Sequence, residues 1–239
     1  MKNRLDNIVA DKLNISRSKA KEIILDSKIK IGESFATKPG QQYDVNIKFW
    51  VDPNANRFVS RGGYKLESAI NHFKLDVSQL VCIDIGASTG GFTHCLLQNN
   101  AAKVYALDVG TNQLESTLRE DKRVVSIENT HIKDANLPMV QLIVIDVSFI
   151  SLATVIPYAY KFLQPKGKCV ALVKPQFEVG PKHLTKKGLV KNRVKADKIV
   201  LKKIEDASKD AGFVANEVWE CPVRGGEGNI EYFIFLEKK

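Results

Sequence analysis

The chain of 239 residues has room for one ordinary domain plus a small appendage. Hydrophobic residues make up 44 % and charged residues 26 %, which allows a packed core and excludes global disorder. Lysine and arginine number 36 against 27 acids, and the net charge of +9 favours a polyanionic partner, a nucleic acid or an anionic membrane.

The opening Met1-Lys2-Asn3-Arg4 leads into a charged amphipathic segment with no apolar signal region behind it. The longest apolar stretches, such as Gln141 to Ile150, carry an acid and stop well short of the ~20 apolar residues of a membrane span. No membrane association is expected. Cys82, Cys95, Cys169 and Cys221 lie far apart and read as buried thiols in a reducing cytoplasm. The histidines form no ligand-spaced cluster, so no metal is expected.

In chain order, Arg4 to Ser27 predicts two short helices. Leu5, Ile8, Val9 and Leu13 form the apolar stripe of the first; Ser16 caps the second, which turns Ala20, Ile23 and Ile24 inward. Strands are predicted at Lys28 to Ile31 and Val45 to Trp50, with a Lys38-Pro39-Gly40 turn between them. The polar Asp52-Pro53-Asn54-Ala55-Asn56 marks a boundary: a small α+β domain over 1–52, a linker over 53–59 and a second domain over 60–239.

In the second domain, strand patterns fall at Val81 to Ile85, Lys103 to Val109, Val124 to Glu128, Leu142 to Val147 and Cys169 to Lys174. Helical patterns fall at Gly91 to Gln98, Gln113 to Arg119 and Ser151 to Leu163. Such alternation predicts an α/β fold, Rossmann-like, with a mostly parallel sheet covered on both faces. A helix over about Arg193 to Ala211 precedes closing strands Val214 to Glu220 and Glu231 to Leu236, an antiparallel pair for the sheet edge.

Val81-Cys82-Ile83-Asp84-Ile85-Gly86-Ala87-Ser88-Thr89-Gly90-Gly91-Phe92 is a buried strand running through a glycine-rich turn into a helix, the local form of a nucleotide-type pocket. Glycines at 86, 90 and 91 fit neither the dinucleotide fingerprint nor a Walker loop. Asp84 would repel a pyrophosphate but attract the ammonium or sulfonium of S-adenosylmethionine. Asp108, ending the next strand, is placed to accept both ribose hydroxyls. The cofactor set is Asp84, Gly86, Ala87, Ser88, Thr89, Gly90, Gly91, Phe92, Asp108 and Asn129.

Two more strand ends carry charge, Asp146 and Lys174, and the fourth and fifth strands are expected beside the first, at the same crevice. Opposite charges ending adjacent buried strands point to a paired, functional site. Lys65 and Glu231 are further candidates, though each alone reads more readily as a solvated surface charge than as a functional group. The set suits methyl transfer to an alcohol: a hydroxyl needs its proton removed, and alignment of oxygen, carbon and sulfur is the remaining task.

At Val59 to Glu67, Asp84 to Thr93, Asp146 to Ser151, Lys174 to Glu178 and Glu227 to Tyr232 the sequence closely resembles the TlyA family of ribosomal RNA 2′-O-methyltransferases, also labelled hemolysin A. The resemblance implies a Lys-Asp-Lys-Glu tetrad of the FtsJ-like kind at Lys65, Asp146, Lys174 and Glu231. Lys174 would be base or proton acceptor and Asp146 its orienting partner, with Lys65 and Glu231 positioning the ribose. It implies cytidines of 16S or 23S ribosomal RNA, or both, as targets, and no obligate protein partner. Ser88 stands where many methyltransferases carry glycine.

The N-terminal segment resembles the RNA-binding domain of a small-subunit ribosomal protein through Arg4-Leu5-Asp6, Ser16 to Ala20 and Lys38-Pro39. Arg4, Arg17, Lys19 and Lys21 are candidate phosphate contacts, as are Arg61 and the Lys182, Lys186 and Lys187 of a basic loop over Val179 to Asn192, read as mobile. A plainer reading makes these a solvated face. The competing functions are a non-catalytic RNA-binding or ribosome-assembly protein and a membrane-active hemolysin.

Overall fold

A computed structural model describes residues 1–25, 28–53, 55 and 57–239. Asp26 and Ser27, at the predicted end of the second helix, and Asn54 and Asn56 of the predicted linker lie outside the described residues. The chain divides into two compact units, Met1–Arg57 and Phe58–Lys239.

The first unit runs β1 (Lys2–Arg4), α1 (Leu5–Leu13), α2 (Arg17–Leu25), β2 (Ile29–Ile31), β3 (Ser34–Phe35), β4 (Gln42–Asp44) and β5 (Trp50–Val51). Ser16 Oγ accepts the Lys19 N–H at 3.1 Å, the expected cap. Leu5, Val9, Ala20, Ile23, Ile24 and Ile29 make its core. The predicted strand from Val45 to Trp50 does not form. Asp44 Oδ1 takes the Asn46 N–H at 2.9 Å and the Asp44 carbonyl takes that of Ile47, so the side chain turns the backbone out of the ladder. The strand falls just before this turn instead, as β4, paired antiparallel with β1.

The second unit continues with α3 (Arg61–Phe73), β6 (Val81–Ile85), α4 (Gly91–Gln98), β7 (Lys103–Leu107), α5 (Ser116–Arg119), β8 (Val124–Ile127), β9 (Val140–Ile145), α6 (Leu152–Lys161), β10 (Leu163–Val173), α7 (Pro175–Glu178), α8 (Arg193–Asp210), β11 (Phe213–Glu220) and β12 (Tyr232–Lys238). One seven-stranded sheet results, in the order β11-β12-β10-β9-β6-β7-β8. Strand β12 is antiparallel to both neighbours, and β10, β9, β6, β7 and β8 pair in parallel. Of the two strands expected beside β6 at the crevice, β9 lies directly next to it and β10 lies one strand further out, a correction to the expected adjacency.

The near-continuous apolar runs of β6, β9 and β10 follow from burial on both faces. Cys82, Val144, Leu172 and Phe233 pack with Leu66, Phe92 and Leu96 on one side; Ile83, Ile143, Ala171 and Ile234 pack with Ile156, Val200 and Ile204 on the other. All four cysteines are free and buried, and burial pushes the Cys82 and Cys169 thiols up to about 12. Helix α5 begins three residues later than its periodicity predicts. The Glu128 carboxylate accepts the N–H groups of Asn112, Gln113 and Leu114, holding them in a loop.

Candidate active site

The strands that follow β6 are added first on one side of it, as β7 and β8, and then on the other, as β9 and β10, so a crevice opens beyond the carboxyl ends of β6 and β9. Gly86 turns the chain there with φ +84°, and a Cβ on it would lie 2.7 Å from the Asp146 carbonyl oxygen. Ser88, at the expected glycine position, adopts φ +47° and donates its N–H to Asp108 Oδ2 at 2.8 Å. The Gly110 N–H occupies Asp108 Oδ1 at 2.7 Å. Each carboxylate oxygen keeps a second lone pair, so Asp108 can still accept a hydroxyl.

Two depressions share Gly86, Ser88, Asp146 and Ser148 as walls. The larger, about 460 Å³, is lined also by Asp108, Thr130, His131, Ile132, Val147 and Phe149. The smaller, about 180 Å³, adds Ser60, Ala87, Thr89, Gly91, Phe92 and Lys174. Asp84, Gly90 and Asn129 line neither. Asp84 is fully buried and accepts the Thr93 hydroxyl at 2.7 Å, pinning the start of α4 to β6. Its Oδ1 is buried without a hydrogen-bond partner, and desolvation pushes the carboxyl up to about 7. Asn129 donates its N–H to the Gly110 carbonyl at 2.8 Å and turns the chain with φ +53°, which brings Thr130 to the wall. The residues fit S-adenosylmethionine: a pocket of ligand size with a hydroxyl acceptor at Asp108, opening beside the glycine turn at Gly86, while Asp84 stays behind that turn and, against the expectation from sequence, does not reach the pocket.

Lys174 follows the last residue of β10, and its Nζ lies 2.6 Å from Asp146 Oδ1. That contact is off the hydrogen-bond direction; Nζ donates instead to Ser148 Oγ at 3.0 Å. Val173 of β10 faces Tyr232 of β12, which sets Lys174 opposite Glu231 at the end of the same ladder. Glu231, 2 % exposed, pairs with Lys65 Nζ at 2.7 Å and accepts from Gln176 Nε2 at 2.8 Å. The four predicted catalytic residues thus form two ion pairs, one joining the ends of β9 and β10 and the other joining α3 to the residue before β12.

The model of the FtsJ-like methyltransferase family matches residues 58–238. The chain belongs to that family. Hemolysin A of Brachyspira hyodysenteriae is 41 % identical over 96 % of this chain and 97 % of its own length. The 16S/23S rRNA (cytidine-2′-O)-methyltransferase TlyA of Mycobacterium tuberculosis is 39 % identical over 92 % and 84 %. A solved structure from Streptococcus thermophilus is 40 % identical, with a TM-score of 0.77, and the match covers 100 % of this chain and 89 % of that one.

In this FtsJ-like chain the predicted RNA contacts are distributed unevenly. Arg4 grips Asp6 through Nε at 3.0 Å and Nη2 at 2.7 Å, and Arg17 approaches the same carboxylate at 3.4 Å. Foremost through the Arg4 hydrogen bond, these guanidinium groups hold the Asp6 carboxyl below the usual carboxylate range. Arg4, Arg17, Ser18 and Lys21 line a shallow depression around it, while Lys19 pairs with Glu22 at 3.4 Å. Arg61 donates to the Arg224 carbonyl at 2.9 Å. Lys182, Lys186 and Lys187 are exposed, but the loop that carries them is folded. Its Pro181–His183 forms a 3-10 turn and Leu184 bridges Val190 as a short hairpin.

Sequence reasoning passed over Thr130, His131, Ser148 and Gln176. Ser148 and Gln176 stand inside the motifs that carried the resemblance; Thr130 and His131 follow a strand in a loop without pattern.

Proposed function

We propose that this enzyme methylates a ribose 2′-hydroxyl of ribosomal RNA, a cytidine in the 16S or 23S molecule or both. The observation that carries the reading is the Lys174–Asp146 pair, set in the wall between a cofactor-sized cleft and a second, polar depression. When bound, S-adenosylmethionine supplies a methyl group already activated on a sulfonium. Gly86, Ala87, Ser88, Thr89, Gly91, Phe92 and Asp108 would hold it, with Gly90 shaping the turn between them. Lys174, acting as the neutral amine after its ammonium has released a proton to solvent, receives the proton of the ribose hydroxyl on Nζ as the oxygen takes the methyl group, while Asp146 and Ser148 fix the direction of that Nζ. Lys65, Glu231 and Gln176 form a rigid wall against which the ribose seats.

Phe149 fits the same reading. It is 91 % exposed at φ +64° on the rim of the larger depression, with its ring 4.9 Å from that of Phe177. An exposed aromatic held in a strained backbone offers a stacking face for a base drawn out of its helix. Residues 1–52 serve as an RNA-binding domain through the Arg4, Arg17 and Lys21 cluster, with 53–59 as its linker. The enzyme works on ribosomal RNA or subunits in the cytoplasm.

Tritium transfer from labelled S-adenosylmethionine to isolated ribosomal subunits, followed by mass-spectrometric mapping, tests this. The expected product is a 2′-O-methyl cytidine made by the wild type and absent with Lys174→Ala. Equal marks from both proteins would overturn the mechanism. No helix among the described residues is long and apolar enough to cross a membrane. Dye release from lipid vesicles by the purified protein checks the hemolysin alternative, and no leakage is expected.

A further inference from the structure

The motif Glu227-Gly228-Asn229-Ile230-Glu231 contains a side chain that the proposed chemistry does not use. Asn229 is 7 % exposed, yet both of its amide atoms are engaged. Oδ1 accepts the Val190 N–H at 3.0 Å, and Nδ2 donates to the Gly188 carbonyl at 2.9 Å. Those two backbone groups belong to the tip and return arm of the basic hairpin, which is closed internally by Thr185 N–H···O Leu189 at 2.8 Å and Lys191 N–H···O His183 at 2.8 Å. On its own backbone, Asn229 accepts the Gly225 N–H at 2.9 Å, which closes the glycine-rich loop before β12. Two residues further on, Glu231 holds Lys65 and Gln176.

A buried amide that satisfies two opposed backbone groups fixes a loop in one register, because losing either bond leaves a buried polar group unpaired. We propose that Asn229 is a positioning residue that locks the basic hairpin to the Glu231 strand. An RNA phosphate seated on Lys186 and Lys187 is then held at a set distance from the ribose wall of Lys65, Glu231 and Gln176. The hairpin is therefore a ruler between backbone recognition and the reacting ribose, not a loose electrostatic patch. This inference rests on the methyl-transfer reading above.

The test is a double-mutant cycle on the full chain, with isolated ribosomal subunits or their RNA as substrate. Wild type, Asn229→Ala, Lys186→Ala/Lys187→Ala and the combined variant are compared by kcat and KM. S-adenosylmethionine affinity is measured for each. Asn229→Ala and the lysine variant are each expected to lower kcat/KM for RNA about tenfold, a loss the size of a typical coupling between sites. In Asn229→Ala, kcat falls together with a rise in KM, and cofactor affinity stays within about twofold. The combined variant should be no worse than the poorer single variant, because unlocked lysines no longer report to the site. Independent sites would multiply their losses to within about twofold, and that outcome overturns the proposal. So does a lysine variant with wild-type kinetics. If Asn229→Ala does not fold, Asn229→Asp serves the same cycle: it keeps the acceptor for Val190 and sets an oxygen against the Gly188 carbonyl. A wild-type enzyme without methyl transfer would refute the functional reading itself, a result separate from every outcome of the cycle.

Discussion

Lys65→Met separates what the Lys65–Glu231 pair does for the fold from what it does for catalysis. The substitution keeps the length of the side chain and removes its charge. It leaves the Glu231 carboxylate, 2 % exposed, with the neutral Gln176 amide at 2.8 Å as its remaining side-chain hydrogen-bond donor. Removing one member of a buried pair costs about 3–5 kcal/mol, because the other charge stays in a dry environment. A domain of this kind has about 5–15 kcal/mol in total, so the variant should remain folded with a much lower urea midpoint. Adding Glu231→Gln removes the stranded charge, and the double variant should return to within about 1–2 kcal/mol of wild type.

Trp219 is the natural probe, since its ring stacks on His72 at 4.1 Å within the second unit. The other tryptophan, Trp50, lies in the first unit, and a Trp50→Phe background for wild type and variants alike would leave Trp219 as the reporter. Methyl transfer should not follow the recovery. With the ribose wall altered, both variants lose at least about 100-fold in kcat, as expected when a reacting group is misplaced by roughly 1 Å. A Lys65→Met cost below about 1 kcal/mol would show a solvent-screened pair and refute the burial argument. A double variant with wild-type turnover would refute the role in catalysis.

Lys174→Ala should lower kcat by about 10²–10⁴ while calorimetric affinity for S-adenosylmethionine stays nearly unchanged, since the residue handles the acceptor's proton. Gly86→Ala forces a Cβ to 2.7 Å from the Asp146 carbonyl at φ +84°; calorimetry should show cofactor binding weakened, and urea unfolding a stability loss of about 1–2 kcal/mol or more. Asp84 gives a pH signature in the cofactor-free protein. Its carboxyl titrates near 7 when folded against 3.8 ordinarily, so the native state keeps a proton that the unfolded chain has released. Its stabilising contribution is therefore complete below about pH 4 and lost as pH rises to about 7, a change on the order of 4 kcal/mol that Asp84→Asn should remove from unfolding curves. RNA affinity measured by filter binding should fall steeply with salt, by about 10³-fold or more between 50 and 200 mM if six or more phosphates are contacted.

What the sequence made legible was whatever a local pattern reports. The apolar run from Val81 to Ile85 followed by glycines placed the strand, the turn and the start of α4, because burial and positive φ each restrict residue type on the spot. Asp146 and Lys174 stood out since a charge is costly next to a buried strand. Where a polar side chain redirects the backbone, the pattern misleads. Asp44 stops a strand that Val45 to Trp50 seemed to offer, and Glu128 draws three N–H groups out of a helix that begins only at Ser116. Least legible are polar groups whose partners are distant in sequence. Lys65 and Glu231 stand 166 residues apart, and their contact exists because β12 inserts antiparallel between β10 and β11. Composition and periodicity left both as ordinary surface charges, and only a family motif marked them. Asn229 and Gln176 lay inside such motifs and still passed unnoticed, because an amide carries no charge and no periodicity to betray burial. In this fold the site's chemistry is announced by strand ends, and its alignment rests on amides and carboxylates that only the topology brings together.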